Sequence, residues 1–208
     1  VGMMMALVQD DIKRMMAYSS ISQIAYVVEG LGLGTYLGVY GGLFHLMNHT
    51  IIKALLFLTA GALMFATGVR KISELSQLRR RMPLTAFSFF VGALAISGVP
   101  PFNGFLSKFT IFLALADQGL LWAAVIAVIT GFLSIACFGQ AAYRLFWAVP
   151  AEAKGGNPEE VIREVPPTMW AGMIILAGLC ILLGVYPQLV HPTLDRATSI
   201  ILKLSAGP

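Results

Sequence analysis

Five apolar stretches separated by short polar loops dominate this chain, each close to the roughly 20 residues that carry a helix across about 30 Å of hydrocarbon. Hydrophobic residues make up 58% of the chain and charged residues only 12%, a balance outside the range of soluble globular domains. A bilayer core offers no water to backbone N–H and C=O groups, so segments like these satisfy them internally, as helices. The expected fold is all-α: a polytopic transmembrane helical bundle, one transmembrane domain over 1–208.

The spans are expected at about 15–33, 36–66, 84–115, 119–148 and 169–190, followed by a mildly amphipathic tail. The second ends near Gly68, a residue suited to a helix C-terminus. The third is interrupted by Ser97-Gly98-Val99-Pro100-Pro101, where two prolines remove two helix donors. Neither flanking piece, 84–96 or 103–115, spans a bilayer alone, so they are read as one discontinuous helix broken at 97–103, with Asn103 as N-cap of the resumed part. The chain opens inside an apolar stretch, residues 1–8, with neither an initiator Met nor signal-peptide architecture. It is expected to be part of a longer protein, with a separately encoded half-length subunit as the alternative.

The net charge of +4 would suggest nucleic acid on a soluble chain, but here the basic residues sit in loops between apolar segments and no nucleic-acid partner is expected. Helix alternation gathers Lys13, Arg14, Arg70, Lys71, Arg79, Arg80, Arg81, Arg144, Lys154 and Arg163 on one side, against Arg196 and Lys203 on the other. The loops at 10–14, 70–82 and 150–167 are therefore assigned to the cytoplasm. Trp122, Trp147 and Trp170 stand at span ends, where interfacial anchors belong. Cys137 and Cys180 lie inside apolar runs without metal or redox spacing and are read as small lipid-phase residues. There is no Walker loop, nucleotide fingerprint, paired CxxC or internal repeat.

The chemistry concentrates in the second span. His45, His49 and Lys53 recur every four residues and share one helix face, with Asn48 beside them. A Lys at mid-membrane costs roughly 2.5–3.5 kcal/mol and is tolerated chiefly when it faces protein or water inside a bundle. Imidazole gives and takes protons near neutrality, so the triplet reads as a relay; the alternative is histidines that only bond neighbouring helices. Lys108, preceded by Ser107, follows the break marked by Pro100, Pro101 and Gly104, where unwound backbone exposes carbonyls. The alternative there is a packing kink with a snorkelling Lys. Along the first span Tyr18, Ser22, Tyr26 and Glu29 form a polar stripe ending in an acid, which is either a counter-charge or an interfacial Glu. Gln140 and Arg144 share a face near the basic side, with Arg144 read first as a topology anchor, and Thr130 and Ser134 can bond backbone carbonyls.

These residues fall into four ordered blocks: Ala6-Leu7-Val8-Gln9-Asp10-Asp11-Ile12-Lys13-Arg14; Ala17-Tyr18-Ser19-Ser20-Ile21-Ser22-Gln23; Phe44-His45 through His49 to Lys53-Ala54-Leu55-Leu56-Phe57; and Gly98-Val99-Pro100-Pro101-Phe102-Asn103-Gly104-Phe105-Leu106-Ser107-Lys108. In this the chain resembles the antiporter-like membrane subunits shared by respiratory complex I, Mrp-type sodium/proton antiporters and membrane-bound group 4 hydrogenases. The resemblance implies a half-channel whose terminal Lys, here Lys108, is linked through water to His45, His49 and Lys53. It implies an integral multi-pass subunit, most simply in a prokaryotic plasma membrane, moving protons or sodium with energy from redox chemistry elsewhere. It also implies partner membrane subunits, no cofactor in this chain, and iron–sulfur or other redox centres in those partners. The preceding inverted half of such subunits and their long lateral helix are absent from these residues, and Glu29 lies outside the shared pattern. The competing readings are a subunit of a stand-alone Mrp-type sodium/proton antiporter and a structural membrane spacer whose polar groups only join helices.

Overall fold

The computed structural model describes residues 1–148 and 162–205, which form eight α-helices and no β-strand. They are α1 (Gly2–Leu7), α2 (Ile12–Gly32), α3 (Tyr36–Thr67), α4 (Pro83–Ser97), α5 (Asn103–Asp117), α6 (Leu121–Phe146), α7 (Pro167–Val185) and α8 (His191–Ser205). By length and apolarity α3, α6 and α7 each suffice to cross a membrane. Helix α2 starts where Asp11 turns its carboxylate onto the N–H groups of Lys13 and Arg14, at 2.8 and 3.0 Å, an N-cap that satisfies two orphan donors. At the far end of α3, Gly68 takes the left-handed conformation (φ 68°) that closes the helix.

The loops assigned to one side by charge meet one another. Ile12 N–H donates to the Arg70 carbonyl and Ile72 N–H to the Asp10 carbonyl, while Ser73 donates to the Asp10 carboxylate through both N–H and Oγ. Farther along, the Arg79 guanidinium lies 5.6 Å from the Trp147 ring centre at the end of α6. The part of the 150–167 loop that bears Lys154 lies outside the described residues, but Glu164 returns to the start of α4 and accepts from Leu84 N, Thr85 N and Thr85 Oγ1. No side chain of α4 caps its own first turn, so Glu164 supplies from across the loop what the helix lacks.

The 84–115 segment folds as two helices separated at residues 98–102. Helix α4 begins at the basic face, α5 ends at the opposite face in the Asp117–Leu120 turn, and α6, about 39 Å long at 1.5 Å per residue, runs back to Trp147. Asn103 is not the N-cap of α5. Phe102 occupies that position, and Asn103 is the first helical residue, its amide spent on Asn48 of α3. The α7 helix ends at Val185 rather than near residue 190, because Pro187 has no N–H to continue it and opens a short 3₁₀ turn instead.

The main core lies where α1, the start of α2, α3, α4, α6 and α7 converge, with Phe89, Phe138, Phe146, Leu55, Leu56 and Leu63 fully enclosed. Cys137 and Cys180 belong to it. Both are free thiols buried in the protein rather than small residues facing lipid, because their size suits close helix contact. Ile21, Val28, Phe65, Val125, Ile129 and Phe132 instead present apolar surface outward, as a lipid-facing shell requires.

Candidate ion-path site

The site begins with what the prolines take away. In a helix the carbonyl of Ile96 would accept from residue 100 and that of Ser97 from residue 101, but both are prolines and carry no N–H. Gly98, at φ 80°, turns the chain so that Val99 N–H reaches the Leu94 carbonyl and Gly98 N–H the Ala95 carbonyl, which ends α4 cleanly and leaves Ile96 unclaimed. Lys108, one and a half turns into α5, places Nζ 2.7 Å from the Ile96 carbonyl oxygen. The two helix pieces must approach closely for this. A Cβ on Gly104 would collide with the Ala95 carbonyl, so only glycine fits there.

Helix α3 carries the other groups past this point. His45 Nδ1 lies 3.0 Å from Ser107 Oγ, the neighbour of Lys108, and Ser107 Oγ also sits 3.3 Å from the Gly104 carbonyl. That hydroxyl can accept from a protonated Nδ1 while donating to Gly104, or rotate and donate to a bare Nδ1, so one contact serves both imidazole tautomers. The Tyr26 ring packs edge-on to His45 at 5.5 Å and lies 5.0 Å from Lys108 Nζ, bringing α2, α3 and α5 together. One turn along α3, the His49 ring is stacked 6.4 Å from that of His45, and a further turn on Lys53 Nζ donates to the Met16 carbonyl at 2.9 Å and to Ser19 Oγ at 2.6 Å. Phe138 and Phe57 flank this ammonium at 5.9 and 6.0 Å. Asn48 and Asn103 lock α3 to α5 through a pair of 3.0 Å bonds.

All four basic groups are shut away from lipid and solvent: His45 is 1% exposed, Lys108 2%, Lys53 6% and His49 7%. None of them meets a carboxylate among the described residues, where the only salt bridge joins Lys71 to Glu74. Nε2 of both histidines is buried without a protein partner. Buried polar atoms without partners are uncommon and ask for water or a transient donor. The arrangement is a row of buried basic groups about 12 Å long on α3, from His45 to Lys53, with Lys108 beside its first member.

The other expected residues divide. Of the Tyr18, Ser22, Tyr26 and Glu29 stripe, only Tyr26 reaches the row, and its hydroxyl donates to the Ala127 carbonyl of α6 at 2.5 Å. Ser22 and half-buried Glu29 line an open cleft with Thr130 and one side of Tyr26, and Tyr18 packs at the edge of the core. Arg144 is exposed and borders a small recess with Gln9 and Gln140 at the basic face, apart from the row. Thr130 and Ser134 bond carbonyls one turn back on α6. Ser19 joins the site as well, beyond the residues expected from sequence, and Gln23 lies buried one turn along α2 from it. Gln23, fully buried, donates to Ser134 Oγ at 3.4 Å and leaves Oε1 free. A signal for them does exist: Met16, Ser19, Gln23 and Tyr26 follow helical spacing on one face of α2. Among the described residues no group of three or more His, Cys, Asp or Glu is placed to hold a metal ion.

Known proteins are similar to this chain in sequence and fold. NADH-quinone oxidoreductase subunit N of Desulforudis audaxviator is 34% identical over 90% of the chain, and an Na(+)/H(+) antiporter subunit of Alkalihalophilus pseudofirmus is 36% identical over 88%. The chain spans 39% and 36% of the lengths of these relatives. A chain in the Mrp complex of Dietzia sp. DQ12-45-1b superposes on 95% of this one with a TM-score of 0.87 at 26% identity, the match covering 44% of that chain. Residues 1–134 match the model of the transmembrane family described as NADH:quinone oxidoreductase/Mrp antiporter. With a match over well more than half of its length, this chain belongs to the NADH:quinone oxidoreductase/Mrp antiporter transmembrane family.

Proposed function

We propose that this chain is the part of an antiporter-like subunit that carries one proton half-channel, within a membrane complex driven by redox chemistry in its partners. The observation that supports this most is the buried row itself, in which two lysines and two histidines are held by carbonyls, hydroxyls and aromatic rings rather than by carboxylates. A structural ammonium is normally fixed by an opposite charge, because an unpaired buried charge is costly. An ammonium held by neutral acceptors can release its proton without leaving an unpaired anion behind. Lys53, His49, His45, Ser107 and Lys108 then hand protons along α3 to the helix break, through water at the two open Nε2 atoms. The basic face is cytoplasmic in this reading, the membrane is a prokaryotic plasma membrane, other membrane subunits flank the chain, and iron–sulfur or similar centres belong to them.

Lys108→Ala in the assembled complex, with proton uptake followed in everted vesicles, tests the reading. Proton delivery falls by about a hundredfold or more, the range typical of a missing acid–base group, while the complex still assembles. Full delivery by Lys108→Ala would refute the assignment.

The likeness to an Na(+)/H(+) antiporter subunit and to the Mrp complex favours one other reading, a stand-alone antiporter moving sodium against protons. Purification of the native complex separates the two. Iron–sulfur or hydrogenase subunits in it support the redox-driven reading, and small antiporter subunits alone support the other.

A further inference from the structure

Helix α3 enters the bundle from the face opposite the basic loops, and its first turns carry a second polar cluster that the row does not use. Tyr36, Tyr40 and Phe44 of α3, Thr110 of α5, and His191 and Asp195 of α8 line a cleft of about 350 Å³. Tyr36 Oη donates to Asp195 Oδ1 at 2.8 Å, its ring stacks 6.4 Å from Tyr40, and the His191 ring meets Tyr40 edge-on at 5.9 Å. The Tyr40 hydroxyl is buried without a protein partner, although its ring is only part-covered. His191 and Asp195 are exposed. At the inner end Phe44 is buried, its ring 6.1 Å from Tyr40, and the next residue is His45. Among the described residues no other titratable group lines the cleft; α5 contributes Leu106 and Thr110 and the turn before α8 contributes Pro187.

We propose that this cleft is the outer mouth of the proton path, with the Tyr40 hydroxyl as its inner step and His191 and Asp195 as the groups that exchange protons with the outer solution. The proposal rests on the proton-path reading and extends it by naming the way out. The cleft is roomy and polar enough for water, which gives the orphaned hydroxyl its missing partner. A proton arriving on the Tyr40 oxygen displaces the hydroxyl's own proton to that water and then to the imidazole, so the hydroxyl is restored. An imidazole has one nitrogen that donates and one that accepts, and a carboxylate oxygen accepts, so the two side chains can pass a proton between cleft water and the outer solution. Because Tyr36 already donates to Asp195, the carboxylate is held at the mouth while Tyr40 stays free to exchange. Phe44 keeps the cleft from joining the row as a continuous open pore.

Two variants of the assembled complex test this. In the double variant Tyr40→Phe with His191→Gln, proton delivery into everted vesicles falls about tenfold while assembly is unchanged. Leu37→Cys places a thiol on the cleft wall at a residue outside the path, and it delivers protons as wild type does. Spheroplasts of Leu37→Cys treated with a charged, membrane-impermeant methanethiosulfonate before eversion then lose delivery, while identically treated wild type, whose Cys137 and Cys180 are buried, does not. Unchanged delivery by the double variant, or by labelled Leu37→Cys, overturns the proposal. So does a thiol that the reagent reaches only after eversion. Lys108→Ala in the same vesicles separates the two failures: if it stops delivery and the mouth variants do not, only the mouth is wrong, and if it delivers fully, the underlying reading is wrong.

Discussion

The two buried lysines solve one problem by different means. Lys108 sits beside a broken helix and takes a carbonyl, Ile96, that Pro100 has left without its normal donor. Lys53 sits in the middle of an unbroken helix of 32 residues, where every nearby carbonyl of α3 is committed. It must reach across to α2, where Ser19 offers a hydroxyl and the Met16 carbonyl is shared with the hydroxyls of Ser19 and Ser20. One site is thus built from backbone made available by sequence, and the other from a side chain presented by a neighbouring helix. A backbone acceptor cannot be removed by mutating its own residue, whereas a hydroxyl can, so the two sites fail to different substitutions.

The largest effect is expected from Gly104→Ala. The added methyl meets the Ala95 carbonyl, the two pieces of the broken helix must separate, and the Lys108 contact to Ile96 opens with them. Overpacking of this kind costs about 1–3 kcal/mol, so the purified complex melts earlier and proton delivery falls toward that of Lys108→Ala. The Lys53 site is untouched. Wild-type melting and delivery in Gly104→Ala would show that the close approach of α4 and α5 is not what holds Lys108.

Ser19→Ala is the matching cut on the other side. It removes the 2.6 Å contact to Lys53 and leaves the ammonium with the Met16 carbonyl as its one hydrogen-bond acceptor, at a cost of about 1.5–3 kcal/mol for a lost bond to a charged group. Delivery falls severalfold, less than for Gly104→Ala, and Ser19→Thr, which keeps the hydroxyl, restores most of it. If alanine and threonine behave alike, the hydroxyl is packing and not part of the path.

The difference between the two lysines also explains which features are legible in the amino-acid sequence. The break, the row and Lys108 follow from local rules: prolines delete donors, and a spacing of four lines up side chains. Even the acceptor of Lys108 is implicit there, since Pro100 strips Ile96 of its donor. The surroundings of Lys53 are not, because they depend on how α2 crosses α3. Ser19 and Gln23 lie roughly 60–100° around α2 from the mean direction of the Tyr18 to Glu29 stripe, and only Tyr26 is near enough to both directions to reach the row. Asn103 shows the same limit. As a cap it fits its position in sequence, but Asn48 on another helix offers its amide a buried partner, and tertiary pairing wins.

The smallest effect is expected where neither lysine is involved. Glu164 caps the first turn of α4 from across the loop, with 2.8 and 3.3 Å contacts to the Leu84 and Thr85 N–H groups and 2.6 Å to Thr85 Oγ1. Its carboxylate also sits at the positive end of the α4 dipole. Glu164→Gln keeps one acceptor oxygen and loses the charge, which costs about 0.5–1 kcal/mol, visible as a slightly lower melting temperature of the complex. Proton delivery is unchanged, because this end of α4 lies a full helix length from the Ile96 carbonyl. A drop in delivery as large as that of Ser19→Ala would mean that α4 moves as a rigid rod between its cap and the break, and that the two lysine sites are coupled through it rather than independent.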